Sequence, residues 1–566
     1  MRRFAQLYQA LDATTATNDK VAALLAYFKA APAADAAWAV YFLAGGKPRQ
    51  VVATALLRET ACQRAGVDDW LFEACYQAVG DLAETIAHVL PPGTQRSDAG
   101  LAEWLEQRLL PLRGLAPTEQ SERVAAAWNE LDSAGRFLLV KLIGGGFRVG
   151  VSKLLVQRAL SEAAGLDAKL MAQRLVGWTD ARATPSAERY AALLAPAGTL
   201  ALPSGQPYPF FLAHALQAAP AGFQDALGPP QDWLVEWKYD GIRAQVVKRA
   251  GQVWVWSRGE ELVTERFPEV VQQAAAWPDG TVVDGELLVW HAGQEHPAPF
   301  ALLQQRITRK TLPKKLLADA PVVLLAYDLL EEDGVDQREQ PQVQRRQQLE
   351  TFAATHAMRL SPRVQAPDWP AYAALRATAR ERGVEGFMLK HLQSRYGTGR
   401  TKADGTWWKW KVEPLTADAV LVYAQAGHGR RASVYTDYTF AVWSRAPASA
   451  EEAQGVLAAI ARKEAAPPRD SDVLQLLPFA KAYSGLSDEE FKAVDKVIRA
   501  TTIEKFGPVR SVRPSLVFEI GFEGIQHSPR HKSGVAVRFP RMLRIRHDKP
   551  LHEADTLQVL HTLMQA

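Results

Sequence analysis

Cysteine is nearly missing: Cys62 and Cys75 are the only two in 566 residues, and they form no Cys-x-x-Cys pair. That scarcity argues against a disulfide framework and against a thiolate-built zinc site, and it fits a reducing compartment, so a cytoplasmic location is expected. Long apolar runs are also missing. Candidates such as AAWAVYFLAG at 36–45 have the length of a core helix and fall short of the roughly 18 residues a membrane span requires. The opening MRRF meets Gln6, Gln9 and Asp12 before any apolar signal segment develops. Neither sign of charge dominates, with 66 Lys plus Arg against 62 Asp plus Glu and a net charge of +4. There is no long internal repeat and no low-complexity tail.

What is present suggests several domains. The length is a multiple of the usual domain size of roughly 100 to 150 residues, so three or four are expected. Apolar content of 48% is enough for several cores. Residues 1 to about 195 read as helical: Phe4, Leu7, Tyr8 and Leu11 recur at helix spacing, and alanine-rich stretches with few β-branched runs continue through LAETIAHVL, SERVAAAWNELD and GRFLLVKLIGG. Pro, Gly and Ser near 190–209 mark a connection. From 233 the period shortens to that of strands in WLVEWKY, QVWVWS, TVVDGELLVW and VVLLAYDLL. VEPLTAD near 413–417 marks another boundary, after which short strands and the helix SDEEFKAVDKVIRATTIEKF suggest a small barrel with a helical insertion.

The chemistry starts from EWKYDGIRAQ at 236–245, which puts an ammonium between two acids inside a strand-like run. Lys238 is the best nucleophile candidate, because a neutral amine attacks phosphorus well once neighbouring cations or desolvation free its lone pair. Asp240, two residues on, would share its side of an extended segment. Taken alone, this segment also reads as a surface lysine with local ion pairs. SRGEE at 257–261 sets Arg258 beside a glycine after a strand. VVDGELLVW presents Glu286 after Asp284 and Gly285, and VEGFMLK offers Glu385 and Lys390. TWWKWKVE alternates Lys409 and Lys411, so both ammoniums fall on one strand face while Trp408 and Trp410 take the other. One amine, two separated carboxylates, and several arginines and lysines suit a triphosphate with its metal. Magnesium prefers oxygen ligands, and Glu385 is the principal candidate for it, with Glu286 open between metal, water and ribose. Near the C-terminus, RFPRMLRIRHDK at 538–549 carries five Arg or Lys against one Asp, a local patch able to steer a phosphate polymer.

KYDGIR at 238–243, followed in order by SRGE, VDGE, AYDL, EGFMLK and WKWK, resembles the ATP-dependent DNA ligases of the nucleotidyltransferase superfamily. The resemblance implies an all-α N-terminal DNA-binding domain (1–205), an α/β nucleotidyltransferase domain of ATP-grasp-like type (206–413) and a C-terminal β-barrel of the oligonucleotide-binding fold (414–566). It implies that Lys238 is adenylylated and that Glu236 accepts from the adenine amino group while Tyr327 stacks on the base. Arg243 and Arg258 would contact the nucleotide or the nick phosphate, and Lys409 and Lys411 the triphosphate. KLIGGGFRVGVSKLLVQRAL is similar to the helical DNA-binding domain of larger members. There Lys141, Arg148, Ser152 and Lys153 would contact phosphates, although the same loop also reads as a tight helix connection. RFPR and RxDK resemble the last family motif, in which Arg546, Asp548 and Lys549 orient pyrophosphate.

The implied cofactors are ATP, whose AMP is carried on the lysine, and Mg²⁺ or Mn²⁺. The implied partner is nicked duplex DNA, encircled by a monomer with no membrane involved and placed at the nucleoid when on DNA. Roles in repair, recombination and replication come with the family. Two rivals stand beside this reading: an RNA ligase or RNA-capping nucleotidyltransferase, and a nucleic-acid-binding scaffold without catalysis.

Overall fold

The computed structural model describes the chain apart from residues 47–49, 80, 145–146, 148, 181–183, 198–204, 217, 310–311, 428–433, 469–470, 507–508, 530 and 566. The chain forms two compact units. One comprises Met1–Val51, Ser97–Gly114 and Lys141–Val412, the other Val52–Arg96, Leu115–Val140 and Glu413–Ala566, so the N-terminal helices contribute to both.

In the first unit the helices Arg2–Ala13, Thr17–Ala30, Ala33–Leu43 and Lys153–Ala164 bury the apolar stripes their spacing predicts, including Phe4, Leu7, Tyr8 and Leu11. Phe147, from the glycine-rich loop, stacks on Phe4 at 5.5 Å and meets Tyr8 edge-on at 5.0 Å. Buried Lys20 donates to the Val149 and Gly150 carbonyls at 3.1 and 2.9 Å. Phe147 is therefore held by ring contacts, and Val149 and Gly150 by an ammonium.

Two sheets follow. One has the order β1 (His214–Ala215), β10 (Trp407–Lys411), β9 (Val384–His391), β2 (Trp233–Tyr239), β8 (Arg363–Val364). The other runs β4 (Gln252–Ser257), β3 (Ile242–Arg249), β5 (Thr281–Val289), β6 (Val322–Glu332), β7 (Val335–Asp336). Every pair is antiparallel except β1 with β10, so this α/β region is built from hairpins and meanders, without parallel crossover units. Alternation sorts each strand. Trp233, Val235, Phe387, Leu389 and Trp410 form a cluster with Phe223 and Trp369 on one face of the first sheet. In the second sheet Ala244, Val246, Val283, Leu287, Leu324 and Ala326 pack with the helices Pro268–Ala275 and Gln342–Thr355. The remaining faces meet through Val247, Val282, Leu330, Trp407 and Phe211, which leaves Glu236, Lys238, Arg243, Glu286, Tyr327, Lys409 and Lys411 between the sheets.

In the second unit β11 (Leu415–Ala426) is the spine. It pairs with β12 (Tyr435–Trp443) on one side. On the other it pairs with β16 (Val517–Phe522) along its first half and β15 (Val509–Val512) along its second. β13 (Leu476–Ala482), β14 (Thr502–Phe506) and β19 (Arg541–Ile545) extend this coiled sheet, and β17 (Gly524–His527) pairs with β18 (Val535–Arg538). Tyr438, Phe440, Phe518 and Ile520 fill its core. The helix Asp488–Thr501 begins at a capping box between Ser487 and Glu490 and seats Phe491, Val494 and Ile498. Among the described residues no helix is long and apolar enough to cross a membrane.

Candidate functional site

Lys238 lies near the end of β2, on the side facing the second sheet, and is ion-paired with Glu385 of β9. Strand parity alone would not bring Glu385 there. Phe387 and Leu389 face the opposite cluster, and position 385 would join them if the alternation held. The pairing slips between Trp237 opposite Phe387 and Tyr239 opposite Val384, so β9 carries one extra residue at this point. Gly386 stands in the bulge at φ 125°, and a Cβ there would lie 2.3 Å from the Trp410 carbonyl oxygen. The bulge turns the Glu385 carboxylate into the cleft, where Lys411 also reaches it at 3.3 Å. Burial alone would raise the Glu385 pKa, but the charges and hydrogen bonds of Lys238 and Lys411 hold it below its ordinary value.

A second bulge shapes the facing sheet. Asp284 opposes Asp328 and Gly285 opposes Ala326, so Tyr327 is the extra residue of β6. The Lys390 ammonium sits 4.3 Å from its ring centroid. Glu236, 2% exposed, holds two cations: Arg346 at 2.7 Å on one carboxylate oxygen and Lys390 at 2.6 Å on the other. Each oxygen keeps a further lone pair for another donor.

Glu286 has neither a hydrogen bond nor an ion pair among the described residues. Burial pushes its carboxyl up to about 8, helped by Asp284 and Glu385 and opposed by Lys238 and Arg243. The Lys409 ammonium is lowered by burial and then by the charges of Lys411, Arg400, Lys238 and Arg258. Five cations thus gather around two recessed carboxyls, an arrangement that attracts a polyanion and its counter-ion. No group of three or more His, Cys, Asp or Glu side chains able to hold a metal occurs among the described residues. Glu286 and Glu385 nevertheless suit magnesium, which takes one or two protein carboxylates and completes its shell with phosphate and water. A half-buried carboxyl with no hydrogen bond or ion pair among the described residues is also the kind of group a cation would relieve.

Residues 211–411 match the family model for the ATP dependent DNA ligase domain, residues 1–161 the DNA ligase N terminus, and residues 464–549 the ATP dependent DNA ligase C terminal region. A protein from Koribacter versatilis named probable DNA ligase is 30% identical, with the match covering 99% of this chain and 95% of that protein. The chain belongs to the ATP-dependent DNA ligase family. A probable DNA ligase from Opitutus terrae is 32% identical over 100% of this chain and 62% of its own length. The solved structure named Pmar-Lig_PreS3 has the same fold, with a TM-score of 0.60 at 14% identity, over 96% of this chain and 99% of that one.

The other residues expected at the ligase site fall differently. Arg243 is turned away from solvent: Nε and Nη2 donate to Asp284 at 3.2 and 2.7 Å, Nη1 donates to the Phe211 carbonyl at 2.6 Å, and Nη2 reaches the Tyr396 hydroxyl at 3.1 Å. Its fork is occupied by protein, so it braces β3 against β5. β2 ends at Tyr239, so the two-residue rule that aligned Asp240 with Lys238 does not extend to it. Arg258 is exposed, and its backbone N–H donates to the Arg243 carbonyl at 3.0 Å. Arg400 was not anticipated, although a cation in the glycine-broken run YGTGRTK is a recognisable phosphate-loop signal. The partners Arg346 and Lys390 of Glu236 carry no sequence signal that links them to it.

In the N-terminal helices Lys141 lies near the end of the helix Ser133–Gly144. Ser152 occupies the position before Lys153–Ala164 without a side-chain capping bond, and the Lys153 ammonium is ion-paired with Glu260. Arg148 lies outside the described residues. In the second unit Arg546 grips Asp548 through Nε and Nη2 at 3.0 and 2.9 Å, and Arg546 and Lys549 both donate to Asp418 at 2.8 and 2.7 Å.

Proposed function

We propose that this ligase seals 5′-phosphate/3′-hydroxyl nicks in duplex DNA through an adenylate on Lys238 and then an adenylate on the DNA end. The observation that carries the reading is the convergence of Lys238 with Glu286, Glu385, Lys409, Lys411, Arg258 and Arg400. Lys238 parts from Glu385, gives its proton to solvent water and attacks the α-phosphorus of ATP; the phosphoramidate bond forms as the bond to pyrophosphate breaks. Lys409 and Lys411 offset charge on the departing triphosphate end, while Tyr327 and Glu236 hold the base. Magnesium or manganese, held by Glu286 and Glu385, would supply further charge neutralisation. The nick 5′-phosphate then displaces Lys238 from the adenylate, and the 3′-hydroxyl displaces AMP to restore the backbone.

Under this reading residues 1–205 hold the duplex, with Lys141, Arg148, Ser152 and Lys153 on phosphates. Residues 206–413 carry the nucleotide, and a barrel in 414–566 brings Arg546, Asp548 and Lys549 to pyrophosphate. The protein acts as a monomer closing around DNA at the nucleoid. The test is labelled ATP with magnesium, followed by nicked all-DNA or RNA-containing duplex. The reading requires an acid-stable label on Lys238 that moves to the DNA nick; a label that never leaves the protein, or that moves only to RNA ends, contradicts it.

A further inference from the structure

Arg546 and Lys549 are anchored by a carboxylate that the motif containing them does not supply. Asp418 follows the VEPLTA connection on β11, and its side chain is 10% exposed. Its Oδ2 accepts from both Arg546 and Lys549, and its Oδ1 is buried with no partner. Its backbone is fixed as well: the N–H donates to Asp555 Oδ2 at 2.8 Å, and the carbonyl accepts from the Asp555 N–H at 2.8 Å.

We propose that Asp418 is a positioning residue for enzyme adenylylation, holding Arg546 and Lys549 in the array that receives pyrophosphate. This rests on the pyrophosphate role proposed above. The two carboxylates on Arg546 are unequal: the Asp548 side chain is 66% exposed, so water compensates its release cheaply. The Asp418 side chain is enclosed and cannot be rehydrated in place. An arriving phosphate therefore takes the Nε and Nη2 fork that Asp548 occupies, a geometry a phosphate matches bidentately. Asp418 meanwhile keeps Nη1 and the lysine ammonium in place.

Asp418→Asn keeps the shape and removes the charge. The full-length variant is assayed for adenylylation by ATP and for sealing of a nick already carrying AMP, beside Arg546→Ala, with circular dichroism as the folding control. Adenylylation should fall about tenfold or more, with a raised KM for ATP, while sealing of the pre-adenylylated nick stays within about twofold. Equal losses in both assays would reduce Asp418 to a structural residue, and no loss, or faster adenylylation, would overturn the proposal outright. If Arg546→Ala shows the selective loss and Asp418→Asn does not, only the anchor fails. If Arg546→Ala is itself unselective, the pyrophosphate reading fails. Should Asp418→Asn not fold, Asp418→Glu, which retains the charge one methylene farther out, carries the same two assays with the same selective loss expected.

Discussion

Replacing Gly386 with alanine tests how Glu385 reaches the cleft. The new Cβ would sit 2.3 Å from the Trp410 carbonyl oxygen and 2.8 Å from Lys411 Cα, both backbone positions, at a φ of 125°. Holding a non-glycine residue in such a backbone region costs about 1–3 kcal/mol before any clash, so relaxation of the bulge is the cheaper response. Once the extra residue is absorbed, parity returns Glu385 to the face of Phe387 and Leu389, away from Lys238. Two charge-assisted contacts are then lost, but the one to Lys238 is broken by the attack itself, so only the hold on Lys411 counts toward the rate. At about 1.5–3 kcal/mol for a bond to a charged group, that corresponds to an adenylylation rate about 10- to 150-fold slower. The assay is single-turnover adenylylation across a cycle of wild type, Gly386→Ala, Glu385→Ala and the double variant. If the glycine acts by aiming the carboxylate, the second substitution adds little to the first. Fully additive losses would refute the bulge argument.

The Glu286 carboxyl is held up to about 8 by burial, so without nucleotide or metal it penalises the folded state once pH exceeds its ordinary value of 4.5, and the penalty grows until about pH 8. Glu286→Gln should therefore gain on wild type between pH 5 and 8 in thermal unfolding, by about 3–5 kcal/mol at most; a pH-independent difference would refute the shift. Arg243→Lys cannot reproduce the fork on Asp284 and should cost about 3 kcal/mol or more in urea unfolding. A raised KM for ATP with unchanged stability would instead return Arg243 to the nucleotide. Lys238→Ala should abolish adenylylation while duplex binding by gel shift changes little, and a normal adenylate yield would exclude it as nucleophile.

Much of this site was legible because strand alternation is a strong rule. Lys409 and Lys411 share the cleft face while Trp408 and Trp410 join the opposite cluster, as the WKWK pattern requires. The order of the short motifs identified the family before any coordinates. Glu385 stands in the cleft although strand parity would place it on the opposite face, and the register slip at Gly386 reconciles the two. Bulges are invisible in a pattern of period two. Arg243 is a different case: a cation beside a nucleophile reads as a ligand contact, and nothing local shows that Asp284 and Tyr396 bond its fork in this structure. The ion pair of Lys153 is equally invisible locally, since its partner Glu260 lies 107 residues away. The helices of the first 195 residues were readable from spacing and alanine content, whereas the contacts of Phe147 with Phe4 and of Lys20 with Val149 depend on tertiary structure alone.

Under the proposed function one amine takes AMP from ATP and passes it to a broken duplex. Intact-protein mass spectrometry after incubation with ATP and magnesium addresses it most directly, followed by addition of nicked DNA and peptide mapping. The expected result is a gain of one adenylate at Lys238 that disappears as the nick is sealed. A protein whose mass never rises, or one modified at a different residue, would contradict it.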